Sequence, residues 1–174
     1  MEWIKRHGLY IWLLFLSMGI LAGCSVSYSF NGGAINYDEV RSITIRDFNN
    51  QAPLVYAPFA NNFSEALRDR YTQRTKLSLV SQGGDLLLEG NITGYSLEPV
   101  AVQENAFAAR TKFTVTISVN YVNSVNEKES FEKSFSAYRE FDSSQMFNDV
   151  QDQLLEEITQ DLIKEIFNAT VENW

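Results

Sequence analysis

Between Lys112 and Asn123 the chain alternates almost without a break: Phe113, Val115, Ile117, Val119 and Tyr121 are apolar, while Thr114, Thr116, Ser118 and Asn120 are polar. A period of two over this length predicts a strand with one buried and one wet face, the signature of an antiparallel sheet covered on a single side. A shorter strand is predicted over Val40–Phe48, where Ile43 and Ile45 alternate with Ser42, Thr44 and Arg46. Leu77–Val80 and Asp85–Leu97 read as extended chain around the Ser81–Gly84 turn, with Leu86, Leu88, Ile92, Gly90 and Gly94 on one face. Glycines there would let a helix approach the sheet closely. A polar turn at Asn123–Lys128 leads to a partner strand over Glu129–Tyr138, with Phe131 and Phe135 inward.

The period changes to 3.6 in two places. Phe59, Phe63, Ala66, Leu67 and Tyr71 form one stripe through about Thr75, with Pro58 suited to the first helical turn. Phe147, Val150, Leu154, Ile158, Leu162 and Ile166 form another, opposite Asp152, Glu156, Glu157 and Asp161; Asp142, Ser143 and Ser144 offer N-caps. The order strand, helix, three strands, helix predicts an α+β fold: a two-layer sandwich in which two amphipathic helices pack on one face of a mixed, mainly antiparallel four-stranded sheet.

The amino terminus follows neither period. Lys5, Arg6 and His7 precede an apolar run from Leu9 to Ala22, fourteen residues long. A spanning helix needs about 20, so the run reads as a secretory signal peptide rather than a permanent span. Leu21-Ala22-Gly23-Cys24 matches the bacterial lipobox, whose cysteine is lipidated and becomes the first residue of the mature chain. Ser25 lacks the aspartate associated with inner-membrane retention, which favours the outer membrane. The expected organisation is a signal peptide at 1–23, a lipidated tether at 24–38 and one domain at 39–174.

Removing residues 1–23 changes the chemistry available. The mature chain keeps 12 Lys and Arg against 21 Asp and Glu, a net charge of -9. That balance argues against nucleic acid, which requires a concentrated basic face. The lone histidine, His7, leaves with the signal, and the lone cysteine is consumed by lipid. Ser-His-Asp and Cys-His catalysis, histidine or thiolate metal sites and disulfides are thereby excluded. The carboxylate pairs Glu156/Glu157 and Asp149/Asp152 read as the solvated face of an acidic helix rather than a glycosidase pair. Arg68, Arg70, Arg74 and Lys76 read as cations opposing a helix macrodipole rather than as an anion patch.

One connection is too long for a hairpin. Glu98–Thr111, "EPVAVQENAFAART", joins two strands, and loops beyond about 12 residues tend to be functional or disordered. Val102 and Phe107 make its tip apolar, and Arg110 and Lys112 stand at its base. These four residues are the candidate contacts to a partner protein or to lipid acyl chains and phosphates; the alternative is that Phe107 folds back on the core and the cations decorate a strand.

The stretches "YSFNGGAI" (28–35), "APLVYAPFANNFSEALRDRY" (52–71), "GGDLLLEGNITGYSLEPVAV" (83–102), "FEKSFSAYREFDSSQ" (131–145) and "IFNATVENW" (166–174) together resemble the LptE family of lipopolysaccharide-assembly lipoproteins in its Bacteroidota form. The resemblance implies a non-catalytic lipoprotein at the periplasmic face of the outer membrane. Such a protein plugs and helps assemble the β-barrel LptD and assists lipopolysaccharide to the cell surface. Its implied partners are an LptD-like barrel and, as a candidate ligand, lipopolysaccharide; beyond the covalent lipid on Cys24 no cofactor is implied. The competing classes are an accessory or pilot lipoprotein for another outer-membrane assembly such as a secretin, and a carboxylate-dependent hydrolase of envelope glycans.

Overall fold

The computed structural model describes residues 35–53, 56–100 and 109–172; Cys24, Val102 and Phe107 lie outside them. In chain order the elements are β1 (Ser42–Ile45), β2 (Asn49–Asn50), α1 (Ala57–Arg74), β3 (Ser78–Leu79), β4 (Leu86–Val100), β5 (Arg110–Asn123), a short 3-10 turn (Glu127–Glu129), β6 (Phe131–Asp142), α2 (Phe147–Phe167) and a π-helical turn (Asn168–Glu172). The sheet order is β3-β1-β4-β5-β6, with β2 also paired to β4. Both helices contribute their apolar stripes to a single core against one face of this sheet.

The architecture is the expected α+β sandwich, but the sheet has six strands rather than four and is mixed rather than mainly antiparallel. Three pairings, β1–β3, β1–β4 and β2–β4, are parallel, and two, β4–β5 and β5–β6, are antiparallel. Of the two-residue strands, β3 lies within the extended stretch expected at Leu77–Val80 but pairs with β1, and β2 is too short for a period of two to register. The strand expected at Val40–Phe48 is interrupted where Phe48 turns into the core and its N–H is taken by the Ser64 hydroxyl of α1 at 3.0 Å. The chain then rejoins β4 at Asn49 and Asn50.

Phe48 also explains Gly90. A Cβ on Gly90 would lie 2.5 Å from the Phe48 ring and 2.2 Å from the Ser118 carbonyl oxygen. The ring that fills this space stacks edge-on to Phe63 of α1 at 5.2 Å. Gly90 therefore admits an aromatic ring, through which the helix is reached.

Gly94 departs from expectation. The β4–β5 register shifts between Ile92 and Gly94, pairing Ile92 with Ile117 and Gly94 with Thr116. This bulge reverses the parity of β4. Leu86, Leu88 and Ile92 are buried before it and Tyr95 after it, so Gly94 lies on the bare face, not under a helix.

α1 starts at Ala57 with Pro58 in its first turn and buries Phe59, Phe63, Leu67 and Tyr71. α2 buries Leu154, Leu155, Ile158, Leu162, Ile163, Ile166 and Phe167. The expected N-caps do not cap it. Met146 occupies that position without a side-chain bond, while the Asp142 carboxylate accepts from the Ser144 N–H at 2.8 Å and the Ser144 hydroxyl at 2.6 Å. Asp and Ser favour turns and caps by the same side-chain to backbone bond; here the turn closing β6 uses it. Arg139, inward on β6, ties the layers by donating to Glu157 and Asp161 of α2 at 2.7 Å each. The α2 C-terminus is held where Thr170 meets the hydroxyls of Tyr71 and Tyr121, and burial raises both phenol pKa values.

Candidate functional site

The side of the sheet away from the helices is uncovered among the described residues, and its chemistry follows from strand parity. Ser96 of β4, Thr114, Thr116, Ser118 and Asn120 of β5, and Glu132, Ser134, Ser136 and Tyr138 of β6 share it. Some of its hydroxyls pair sideways, Thr116 with Ser136 at 3.0 Å and Thr93 to the Thr116 carbonyl at 3.4 Å, while the Thr114 hydroxyl is buried without a hydrogen-bond partner. At the β1 end Arg46 donates to Glu89 at 2.8 Å, and Asn120 reaches the other Glu89 oxygen at 3.0 Å. The result is a hydroxyl-rich face on which Arg46 and Glu89 neutralise one another, while Glu132 has no ion-pair partner among the described residues.

The candidate cations legible in the sequence lie at the opposite end. Arg110 and Lys112 begin β5, two residues apart, and so both project onto the bare face. Arg110 pairs with Glu140 at 3.3 Å and Lys112 with Glu98 at 4.0 Å. The Lys112 ammonium also lies 5.4 Å from the ring centre of Tyr138, which is 55% exposed. Glu98, Pro99, Val100, Lys112, Tyr138 and Glu140 line a recess of about 320 Å³. Exposed ion pairs are worth about 0–1 kcal/mol, so an incoming phosphate could replace either carboxylate at small cost. The described chain thus gives both cations carboxylate partners on strands, while the loop tip with Val102 and Phe107 lies outside it. Glu140 and Tyr138 were not legible as part of this end; only the β6 pairing, opposite Lys112 and Thr114, brings them there.

The basic group at the end of α1 does not converge. Arg68 binds Asp47 and the Ile45 carbonyl, Arg70 stacks on Phe167 at 5.1 Å and Lys76 lies over Tyr37 at 5.9 Å. Between the helices runs a groove of about 830 Å³, with Asp69, Arg70, Asp152, Glu156, Asp161 and Lys164 among its walls. Tyr56 closes part of it by donating to Asp152 at 2.6 Å, a bond that raises the tyrosine pKa. Among the described residues no group of His, Cys, Asp or Glu is arranged to hold a metal, and no helix is long and apolar enough to cross a membrane.

The described chain is thus a two-layer α+β sandwich with one polar, uncovered sheet face. The chain belongs to the LptE family, described as Lipopolysaccharide-assembly, whose sequence model matches residues 40–170. No curated protein matches it significantly. Among solved structures, a minor lipoprotein from Acinetobacter baumannii shares the fold at a TM-score of 0.51 and 11% identity, over 77% of this chain and 94% of that one. A protein from Xanthomonas campestris does so at 0.52 and 11%, over 76% and 85%.

Proposed function

We propose that this chain is a non-catalytic, lipid-anchored subunit of the lipopolysaccharide export translocon. It is held by Cys24 at the periplasmic face of the outer membrane. There it helps an LptD-type β-barrel assemble, plugs its lumen and assists lipopolysaccharide to the surface. The observation that carries this reading is the family match across residues 40–170, nearly the whole domain. The lipobox ending at Cys24 supports the anchor. The bare sheet face suits the role: the interior of large outer-membrane barrels is polar, and a hydroxyl-rich surface can meet it through hydrogen bonds.

The test is depletion with complementation. Depleting the protein should leave lipopolysaccharide behind in the inner membrane and lower the amount of mature barrel. Wild-type protein should restore both, and Cys24→Ser should restore neither while remaining folded and soluble. Normal surface lipopolysaccharide after depletion would contradict the reading. Loss of a secretin assembly instead would move the protein to the pilot class.

A further inference from the structure

β6 is the outer strand on one side of the sheet, and pairing parity says which of its main-chain groups point away. The Ser143 N–H donates to the Ala109 carbonyl at 3.0 Å, continuing the register that pairs Arg110 with Asp142. Hydrogen-bonded pairs recur at every second residue of an antiparallel ladder. Odd-numbered residues of β6 therefore bond to β5, and even-numbered residues turn their N–H and C=O groups outward. The other side of β5 agrees, because the even-numbered Ser124 donates to Asp85 at 2.9 Å.

The outward carbonyls at one end are occupied. Arg139 donates to the Tyr138 carbonyl at 2.9 Å, Arg110 to the Glu140 carbonyl at 3.2 Å, and the Gln145 N–H to the Asp142 carbonyl at 3.0 Å. These contacts blunt that part of the edge, as native sheets require. At the other end the outward groups of Glu132, Ser134 and Ser136 have no partner among the described residues. Lys133, the inward charge between them, is drawn along its own strand over the Phe135 ring at 5.0 Å.

We infer that the Glu132–Ser136 edge receives an extended segment of the barrel protein as an added strand. The inference rests on the barrel partnership proposed above and names the surface that serves it. Strand addition draws its affinity from main-chain bonds, and a barrel protein is rich in extended segments. A second copy of this chain is the poorer occupant. Five residues of edge fall far short of an interface of about 1,600 Å². Two-fold pairing would also bring together two copies of α2, which lies over β6 through Arg139 and carries Asp152, Glu156, Glu157 and Asp161. The same flank, one arginine between two carboxylates, favours Lys or Arg on the helix side of the added strand.

The test uses tagged full-length protein, co-expressed with the barrel protein and purified in mild detergent. Ser134→Pro removes an outward N–H that has no partner in the isolated domain, a position where an edge strand tolerates proline. Ser134→Ala keeps the N–H. Barrel recovery should fall about tenfold or more with Ser134→Pro, equivalent to at least about 1.4 kcal/mol, and far less with Ser134→Ala, which loses one hydroxyl of the bare face but keeps the N–H, with both variants melting as wild type. Amide exchange is the check that does not depend on proline: residues 132, 134 and 136 should slow by about tenfold or more in the wild-type complex. If Ser134→Pro does not fold, this exchange decides. Equal barrel recovery with a folded Ser134→Pro, or unslowed amides in the complex, would overturn the edge assignment and leave the partnership standing. Absence of the barrel from wild-type preparations would overturn both.

Discussion

Gly94 lies opposite Thr116 on the bare face of the sheet, although Ile92, two residues earlier, lies opposite Ile117 in the core. The single-residue bulge between them lets β4 follow β5 along its whole length while changing which of its side chains are buried. β5 keeps strict alternation throughout, and so the sidedness of the sheet is tested on β5.

Ile117 is fully buried. Ile117→Asp places a carboxylate beneath the helices, a cost of several kcal/mol against a total stability of about 5–15 kcal/mol, and the domain should fail to fold. Thr116→Asp forfeits the Ser136 hydrogen bond and little else, so a shift of about 1 kcal/mol is expected. Circular dichroism melts of the two variants decide. Equal shifts would contradict a one-sided sheet.

Acid should loosen the start of β1. Asp85 accepts from the Arg41 N–H at 2.8 Å, the Ser42 N–H at 2.9 Å and the Ser42 hydroxyl at 2.8 Å, and these bonds, the Arg41 one foremost, lower its pKa. A carboxylate with a folded pKa below its unfolded value near 3.9 stabilises fully above that value, and the contribution is lost as pH falls through the folded pKa. Urea midpoints should therefore drop below about pH 4. Asp85→Asn should be weaker at neutral pH and lose less on acidification. Parallel pH profiles for the two proteins would show that Asp85 does not carry this part of the acid sensitivity.

The long connection is expected to serve binding rather than stability. Beyond the bulge the β4–β5 ladder runs unbroken from Gly94 and Thr116 to Val100 and Arg110, so replacing residues 102–108 by Asn-Gly leaves Ala101 and Ala109 flanking a two-residue turn of the favoured type. The melting temperature should stay within about 4 °C, a change of roughly 1 kcal/mol for a domain of this size, while recovery of the barrel falls. A shortened protein that unfolds would show that Phe107 belongs to the core. One that binds normally would place the interface elsewhere.

What the sequence disclosed was whatever repeats over many residues. The β5 alternation and the α2 stripe from Leu154 to Ile166 each set a face by a period sustained long enough to read. Two-residue strands such as Ser78–Leu79 have no period, and their place in the sheet comes from parallel pairing with β1 across a whole helix. The bulge at Thr93 inserts one residue, and only its partner strand reveals the inversion that moves Gly94 outward. Asp142 and Ser144 carried a true signal with two outcomes, cap or turn, and strand pairing selected the turn. At the loop base, Arg110 and Lys112 were visible as cations; their partners Glu140 and Glu98 come from two other strands and required the register. The outward carbonyls of Tyr138 and Glu140 are main-chain features, invisible until β6 is known to be an edge.

The most direct measurement of the central claim is stoichiometric: purify the tagged, lipidated wild-type protein from envelopes in mild detergent and identify and quantify what accompanies it. An LptD-type barrel in about equal molar amount, with cross-links from residues on the bare face of the sheet to the barrel interior, is the predicted result. A preparation free of that barrel, or one carrying a secretin in its place, would contradict the account.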